Sequence, residues 1–334
     1  MSTFIIAEAG SNHNANFNQA TTMIDVANEA GADAVKFQTF LSKELYCKNT
    51  PDFAGYRNIN KLIEDLEMPR SWLKDIKSYC DDMGIEFMST PCDEQAVELL
   101  YNLGVKRYKI GGFEATDPRF VKFVASTKLP VIITAGIGVG LDMIQNILNW
   151  VKEVNPNSFD VTILHGNNAY PSPYEDSNLS QIEKIMDAYP DIRVGYSDHT
   201  QGILVPSLAV AKGATVIEKH FTLSKRLPGP DHSFAIEPNE LKKMVENIRI
   251  TEKTLGLKKG VYTKSEENFS KARRSVVTRR NVKKGEIIIE DNITTKRPML
   301  ENSIPSTEYY KVLGNRFTRN ILEDEILRIS DIQE

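Results

Sequence analysis

Two short segments carry the first chemical signal. VGYSDHT (194–200) and VIEKHF (216–221) each run through a few strand-forming residues into a histidine, His199 and His220, with charged groups beside it. A lone histidine at a strand end is more often a hydrogen-bonded rim residue than a ligand. Two from neighbouring strand ends can meet one divalent cation and leave its other positions to water and substrate oxygens, the open arrangement of a catalytic metal. Charges interrupt other apolar runs at Glu8, Lys36, Lys109, Glu114 and the pair Glu218-Lys219. A charge in a buried strand costs free energy unless it is paired or faces a wet mouth. Glu218 and Lys219 are consecutive and so point to opposite faces, and at least one of them is expected to be structural. Lys36 and Lys109, with Ser89, Thr90, Thr134, Asn168 and Tyr170, would bring ammonium, hydroxyl and amide donors to one mouth. That set suits a small dianion combining a phosphate with a carboxylate. GIGVG (136–140) lacks the spacing of a phosphate loop or a dinucleotide fingerprint and is more simply a turn, so nucleotide chemistry is not expected.

The elements that would position these residues form a repeated pattern. FIIAEAG, AVKFQTF, EFMSTP, RYKIGG, PVIITAG, DVTILHG, RVGYSDH and TVIEKHF read as short, nearly continuous apolar strands. Helical patterns follow them near residues 19–30, 71–83 (after a long loop), 93–103, 118–126, 141–153, 179–188, 203–212 and 238–255. Asp93 and Asp117-Pro118 are N-cap signals, and Gly31, Gly84, Gly104 and Gly213 stand where helices should end. Eight β-then-α units predict a (β/α)8 TIM barrel, whose active site lies at the C-terminal ends of its strands. All five histidines, His13, His165, His199, His220 and His232, fall at or just after those ends.

The 334 residues can hold a large barrel plus an appendage. The barrel is expected over 1–257, a polar linker arm over 258–274, and a small, mostly β domain over 275–334. With 41 Lys+Arg against 45 Asp+Glu the formal charge is −4, which gives no reason to expect a polyanion-coating surface. The basic run KARRSVVTRRNVKK lacks interleaved aromatics and is balanced by GEIIIED, so a solvated face or subunit contact is expected rather than nucleic acid. Cys47, Cys80 and Cys92 form no C-x-x-C pair and fit packing thiols in a reducing compartment. The start MSTFIIAEAG has no basic n-region and too short an apolar run for a signal peptide, and no segment is long enough to cross a bilayer. A cytoplasmic protein with no membrane partner is expected.

At IIAEAGSNHN, AVKFQT, FMSTP, YKIGGFE, YPSPYED, GYSDHT, IEKHFT and LPGPD the chain resembles the sialic acid synthase family, the phosphoenolpyruvate-condensing enzymes that make N-acetylneuraminic, legionaminic and pseudaminic acids. The tail, with KKGE, TTKRP and LG, resembles that family's antifreeze-like (SAF) domain, so the resemblance covers essentially the whole chain. It implies that C3 of phosphoenolpyruvate attacks the aldehyde of an open-chain N-acylamino sugar, that water adds at C2, and that phosphate leaves by C–O cleavage. It also implies that His199 and His220 hold a divalent metal, usually Mn2+ with Mg2+ or Co2+ as alternatives, and that Glu8 manages a proton near the water. By the same resemblance Lys36, Thr90, Lys109, Thr134 and Asn168 match phosphoenolpyruvate-binding positions and Ser197 an active-site serine. Gln38, Glu114, Tyr170 and Asp231 match sugar-side positions. Arg297 in TTKRP matches the arginine that the SAF domain delivers into the partner's barrel, which implies a domain-swapped homodimer.

Three departures stand out. Gly112 replaces a phosphate-contacting serine and Phe113 a glycine, so that contact must come from the backbone or another residue. After strand five the usual STG reads Thr134-Ala135-Gly136, and strand six ends His165-Gly166-Asn167 instead of the common HCT. YKIGGFEATDPRFVKFVA looks like the pseudaminic branch, whereas RLPGPDHSFAIEP looks like the neuraminic and legionaminic branches. The second weighs more, because Asp231 faces the sugar while Phe113 replaces a residue nearer the phosphate. The expected acceptor is N-acetylmannosamine or a 2,4-diacetamido-6-deoxymannose-type sugar, with pseudaminic acid synthesis as the alternative. Related deoxy-octulosonate and deoxy-heptulosonate synthases lack the SAF tail. A carbohydrate-binding relative without catalysis would have a broken metal or lysine set, and His199, His220, Lys36 and Lys109 are all present.

Overall fold

The computed structural model describes residues 2–52, 55, 57–156, 159–256 and 263–333. The chain divides into two compact units, Met1–Gly256 and Leu257–Glu334. In the first, eight short strands alternate with helices: β1 (Phe4–Gly10), β2 (Ala34–Thr39), β3 (Glu86–Pro91), β4 (Tyr108–Ile110), β5 (Val131–Ala135), β6 (Val161–Gly166), β7 (Arg193–Asp198) and β8 (Val216–His220). They form one parallel sheet in the order β3-β2-β1-β8-β7-β6-β5-β4, curled almost into a closed barrel. Among the described residues no ladder joins β3 to β4, which pair with their other neighbours only.

The helices follow the capping chemistry of the sequence. Asn16 caps α1 (Phe17–Glu29), and its side chain accepts from Gln19 N. The loop after β2 is less open than expected, because it contains α2 (Ser42–Leu45) and α3 (Ile59–Asp65). α4 (Leu73–Met83) ends at Gly84, whose φ of 76° suits glycine. Asp93 caps α5 (Glu94–Asn102), and Asp117 caps α6 (Pro118–Ser126), which has proline at its first position. α7 (Leu141–Val154), α8 (Ser180–Ala188), α9 (Leu204–Ala211) and α10 (Pro238–Thr254) complete the outer ring. α10 buries Leu241, Met244, Val245 and Ile248, an i, i+3, i+4, i+7 stripe. No helix among the described residues is long and apolar enough to cross a membrane.

The two-residue period of the strands sorts side chains between two cores. Outward residues such as Ile5, Val35, Phe37, Ile133, Ile163 and Ile217 pack on the helices. Inward, Ile6, Ala34, Met88, Ile132, Leu164 and Val216 fill one apolar layer. Below it Arg107 lies 4.5 Å over the Phe4 ring and bonds Glu86 at 2.7 Å. The apolar layer separates this pair from the polar residues of the mouth above it, so the floor of the mouth is apolar.

In the second unit β9 (Ser275–Thr278) pairs antiparallel with β10 (Ile293–Lys296), and β11 (Arg316–Phe317) with β12 (Ile332–Gln333). Its own core includes Val276, Val282, Ile288, Ile293, Phe317 and Leu327. α11 (Tyr309–Val312) lies between the two strand pairs in sequence. Of the expected linker, 258–262 lie outside the described residues. The rest is tied to the second unit: Glu267–Ala272 forms a 3-10 helix, and Met299 N donates to Lys271 O at 3.0 Å.

Gly195 on β7 belongs to the inner layer. A Cβ there would stand 2.3 Å from Val216 O and 2.6 Å from Leu164 Cδ2, and both neighbours are fixed by the barrel. We expect Gly195→Ala to destabilise the fold by about 1–3 kcal/mol through overpacking, read as a lower melting temperature. An unchanged melting temperature would show that the layer has spare room.

Candidate active site

Above the apolar layer the strand ends carry a ring of charge. Glu8 (β1), Lys36 (β2), Lys109 (β4) and Glu218 (β8) are each at least 95 % shielded from solvent, with exposures of 1 %, 2 %, 2 % and 5 %. Lys36 Nζ lies 2.7 Å from Glu8 Oε2 and 3.7 Å from Glu218 Oε1, and it donates to Thr90 Oγ1 at 3.0 Å. Lys109 Nζ lies 3.7 Å from the same Glu218 oxygen and donates to Thr134 Oγ1 at 2.7 Å and Ile110 O at 3.0 Å. Ser197 Oγ donates to Glu218 Oε1 at 3.2 Å, and Gln38 Nε2 to Glu8 Oε1 at 3.0 Å. The four charges sum to zero. Burial pushes the Glu8 carboxyl up to about 7, against the lowering effect of Lys36 and with the help of Glu218. Burial would raise Glu218 as well, but the two lysines outweigh it and hold Glu218 below the usual carboxylate range.

The two histidines stand at the rim beside this ring. Their ring centroids are 5.4 Å apart, and the Tyr170 ring lies 4.4 Å from that of His199. Burial lowers the pKa of both, so both are neutral near pH 7. A carbonyl only accepts, so His199 Nδ1 must carry the proton of its 2.5 Å bond to Asn167 O. The lone pair is thereby fixed on Nε2, the tautomer a metal ligand needs. His220 Nδ1 is buried without a hydrogen-bond partner and lies 3.6 Å from Asp231 Oδ2. Two neutral imidazoles with an orphaned nitrogen beside a carboxylate fit a divalent cation. Among the described residues no group of three or more His, Cys, Asp and Glu side chains has the geometry to hold a metal. An imidazole pair would therefore leave most of the coordination to water and substrate.

Glu8, Lys36, Gln38, Thr90, Lys109, Glu114, Thr134, Asn168, Tyr170, Ser197, His199 and His220 line one cavity of about 410 Å³. Asp231 lines the adjoining cavity, and Arg297 lies in the second unit, its Nε donating to Ala272 O at 2.7 Å. Ser89 is turned away: its hydroxyl meets Thr39 Oγ1 at 2.8 Å on the helix side, because strand alternation allows only one of Ser89 and Thr90 to face inward. The other three histidines do not join the pair. His13 Nδ1 accepts from Ala15 N at 3.1 Å, His165 Nε2 meets Ser177 O at 2.9 Å, and His232 bridges Thr222 Oγ1 (2.6 Å) and Asn14 Oδ1 (3.1 Å). Glu218 carries more than its place among the strand charges suggested. It stands two residues before His220 and so shares the inward face, whereas Lys219 faces the helices and pairs with Asp198 at 2.6 Å.

The departure at Gly112 has a steric counterpart. A Cβ on Gly112 would lie 2.7 Å, and one on Gly136 1.7 Å, from Asn168 Oδ1. The Asn168 amide therefore occupies the space that side chains at those two positions would take. It donates to Tyr170 OH at 3.2 Å, while Oδ1 is buried without a partner.

Removing one charge from a buried, balanced set leaves the others uncompensated. We expect Glu218→Gln to lower stability by about 3–5 kcal/mol and inorganic phosphate to recover part of the loss by restoring negative charge beside Lys36 and Lys109. Thermal unfolding with and without phosphate checks this, and a melting temperature equal to the parent's in both conditions would contradict the pairing scheme.

Comparison with known proteins identifies the family. The NeuB family model matches residues 23–260, and the SAF domain model matches residues 273–333. The N,N'-diacetyllegionaminic acid synthase of Campylobacter jejuni is 39 % identical over 98 % of this chain and 99 % of its own length. That of Legionella pneumophila is 39 % identical over 96 % of this chain and 92 % of its own. The crystal structure of N-acetylneuraminic acid synthetase from Leptospira borgpetersenii, in complex with citrate, superposes with a TM-score of 0.73 at 33 % identity, over 80 % of this chain and 90 % of that one. The family model covers well over half of the chain and relatives of 39 % identity cover nearly all of it, so the chain belongs to the NeuB family.

Proposed function

We propose that this protein is a nonulosonic acid synthase. It condenses phosphoenolpyruvate with the open-chain aldehyde form of an N-acylamino sugar and releases phosphate by C–O cleavage. One observation carries the reading: two buried lysines with hydroxyl donors lie at the same mouth as a pair of neutral imidazoles. The relatives named as legionaminic and pseudaminic acid synthases support the reaction class.

Phosphoenolpyruvate places its anionic groups against Lys36 and Lys109, which exchange their contacts with Glu8 and Glu218 for those of the substrate. Thr90 and Thr134 hold the ammonium groups in place during the exchange, and Ser197 and Asn168 add neutral donors. The C2–C3 π electrons of phosphoenolpyruvate form the new bond to the aldehyde carbon, and the aldehyde oxygen takes a proton from solvent. Water then adds at C2, and the C2–O bond to phosphate breaks as the ketone forms. Glu8, oriented by Gln38, accepts the proton from that water. A divalent cation held by His199 and His220, Mn2+ in first place with Mg2+ or Co2+ as alternatives, supplies Lewis acidity toward the aldehyde oxygen when bound. Gln38, Glu114, Tyr170 and Asp231 face the sugar.

Phosphate release from phosphoenolpyruvate with a panel of free N-acylamino sugars, with and without Mn2+, tests this reading. Release is expected only with an acceptor sugar present. It should fall by about 100-fold or more after chelation or in His199→Ala, within the usual reach of one transition-state electrostatic contact. Full activity after chelation would remove the metal from the assignment.

We assign Arg297 to the sugar side of a partner subunit's barrel in a domain-swapped homodimer. Arg297→Ala is then expected to raise KM for the sugar while leaving metal affinity unchanged. Mixing Arg297→Ala with His199→Ala should restore activity, because each mixed dimer has one intact barrel that receives an intact arginine. Two impaired variants that stay equally impaired after subunit exchange, assayed at sugar below the parent's KM, would contradict the swap.

A further inference from the structure

Asp198 and Lys219 lie on the helix side of the barrel, each 1 % exposed and each the chain neighbour of a rim histidine. Lys219 Nζ donates to Asp198 Oδ2 at 2.6 Å and also to Thr200 O. Asp198 Oδ1 accepts from Thr200 N at 3.0 Å and from Thr200 Oγ1 at 2.8 Å. The carboxylate thus closes a turn around His199. One ammonium group holds both sides of that turn, the residue before the histidine and the residue after it.

The place of this network in the sheet gives it a task. Asp198 and Lys219 are the last register partners of β7 and β8. Beyond them the two histidines are attached to opposite neighbours. Ser172 N donates to His199 O at 2.9 Å and the His199 ring bonds Asn167 O, both on the segment after β6. On the other side, Phe221 N donates to Glu8 O on β1 at 3.0 Å, and Ile236 N to His220 O at 3.1 Å. Strand pairing therefore ties His199 to one side and His220 to the other, and Lys219 bridges the gap between them.

Two imidazoles have no third side chain to triangulate them, so their separation must be set from the backbone behind. Stability alone is a weak reason for a buried ion pair, since apolar residues of similar volume often serve as well. Given the metal assignment made above, we propose that Asp198, Thr200 and Lys219 are positioning residues. They fix the separation of His199 and His220 as a two-imidazole seat for a divalent cation, without touching cation or substrate.

The test is Mn2+ binding to the metal-free protein, followed by electron paramagnetic resonance of the free ion, which reads affinity without turnover. It compares the parent with His199→Ala, the double variant Asp198→Asn/Lys219→Met, and Thr200→Val. Glu86→Gln/Arg107→Met is the control, because it removes another ion pair of the barrel, beneath the apolar layer and away from the histidines. In the double variant asparagine keeps an oxygen for Thr200 N and no buried charge is left uncompensated.

The double variant is expected to bind Mn2+ about 10- to 100-fold more weakly, as loss of the groups that orient metal ligands usually does. Thr200→Val should weaken it about two- to tenfold, the loss of one hydrogen bond. The control should bind Mn2+ like the parent, and the metal-free double variant should bind phosphoenolpyruvate like the parent. Parent affinity for Mn2+ in the double variant, or in Thr200→Val should the double variant not fold, overturns the positioning role. So does equal weakening in the control, or a matching loss of phosphoenolpyruvate affinity, either of which would make the pair a general support of the barrel. A parent that binds no Mn2+, or binds it no more tightly than His199→Ala does, overturns the metal assignment and this inference with it.

Discussion

Glu8, Lys36, Lys109 and Glu218 share one layer of the barrel interior, and that layer could not exist without their mutual neutralisation. An isolated buried charge is too costly to keep, so each must find a partner within a few ångströms. Glu218 meets this need for both lysines, and Ser197 braces it from the neighbouring strand. The dry layer of Ile6, Met88, Leu164 and Val216 beneath keeps water from screening the set from below. What results is an array of donors whose positions are fixed before any ligand arrives, which is the condition for strong electrostatic action on a reacting anion.

The same alternation that turns Glu218 inward turns Lys219 outward, and it does so again at Asp198 and His199. Lys219 and Asp198 face each other across β7 and β8 as register partners, buried among the helices. Each is the chain neighbour of a rim histidine. The two imidazoles are therefore spaced by an ion pair on the far side of the sheet, which no ligand in the cavity touches.

Much of the fold was legible because its signals are local. Apolar runs, Asp93 and Asp117 as caps and Gly84 as a stop depend on adjacent residues alone, and all eight strands and the helices between them answer to such signals. α2 and α3 were missed because the segment around them is polar and interrupted, and its few apolar residues acquire meaning only against the barrel rim. The histidine pair was legible from spacing and parity. The central place of Glu218 follows from the same parity but needed the barrel to bring two lysines to it. The steric use of Gly112 and Gly136 by Asn168 joins three loops far apart in sequence, and no local pattern announces it.

The charged layer stands on strands and the imidazoles at strand ends, whereas the apolar residues at the edge of the mouth, Leu62, Ile63, Phe113 and Ile137, stand on α3 and on loops. Strand positions are held by the ladder and by packing on both faces, so a change in one disturbs its neighbours. Loop positions answer to fewer contacts, and substitutions there combine with others almost independently. The chemistry can therefore be inherited as a block while acceptor scope drifts by a few rim substitutions. For a designer it marks where a mutational library belongs.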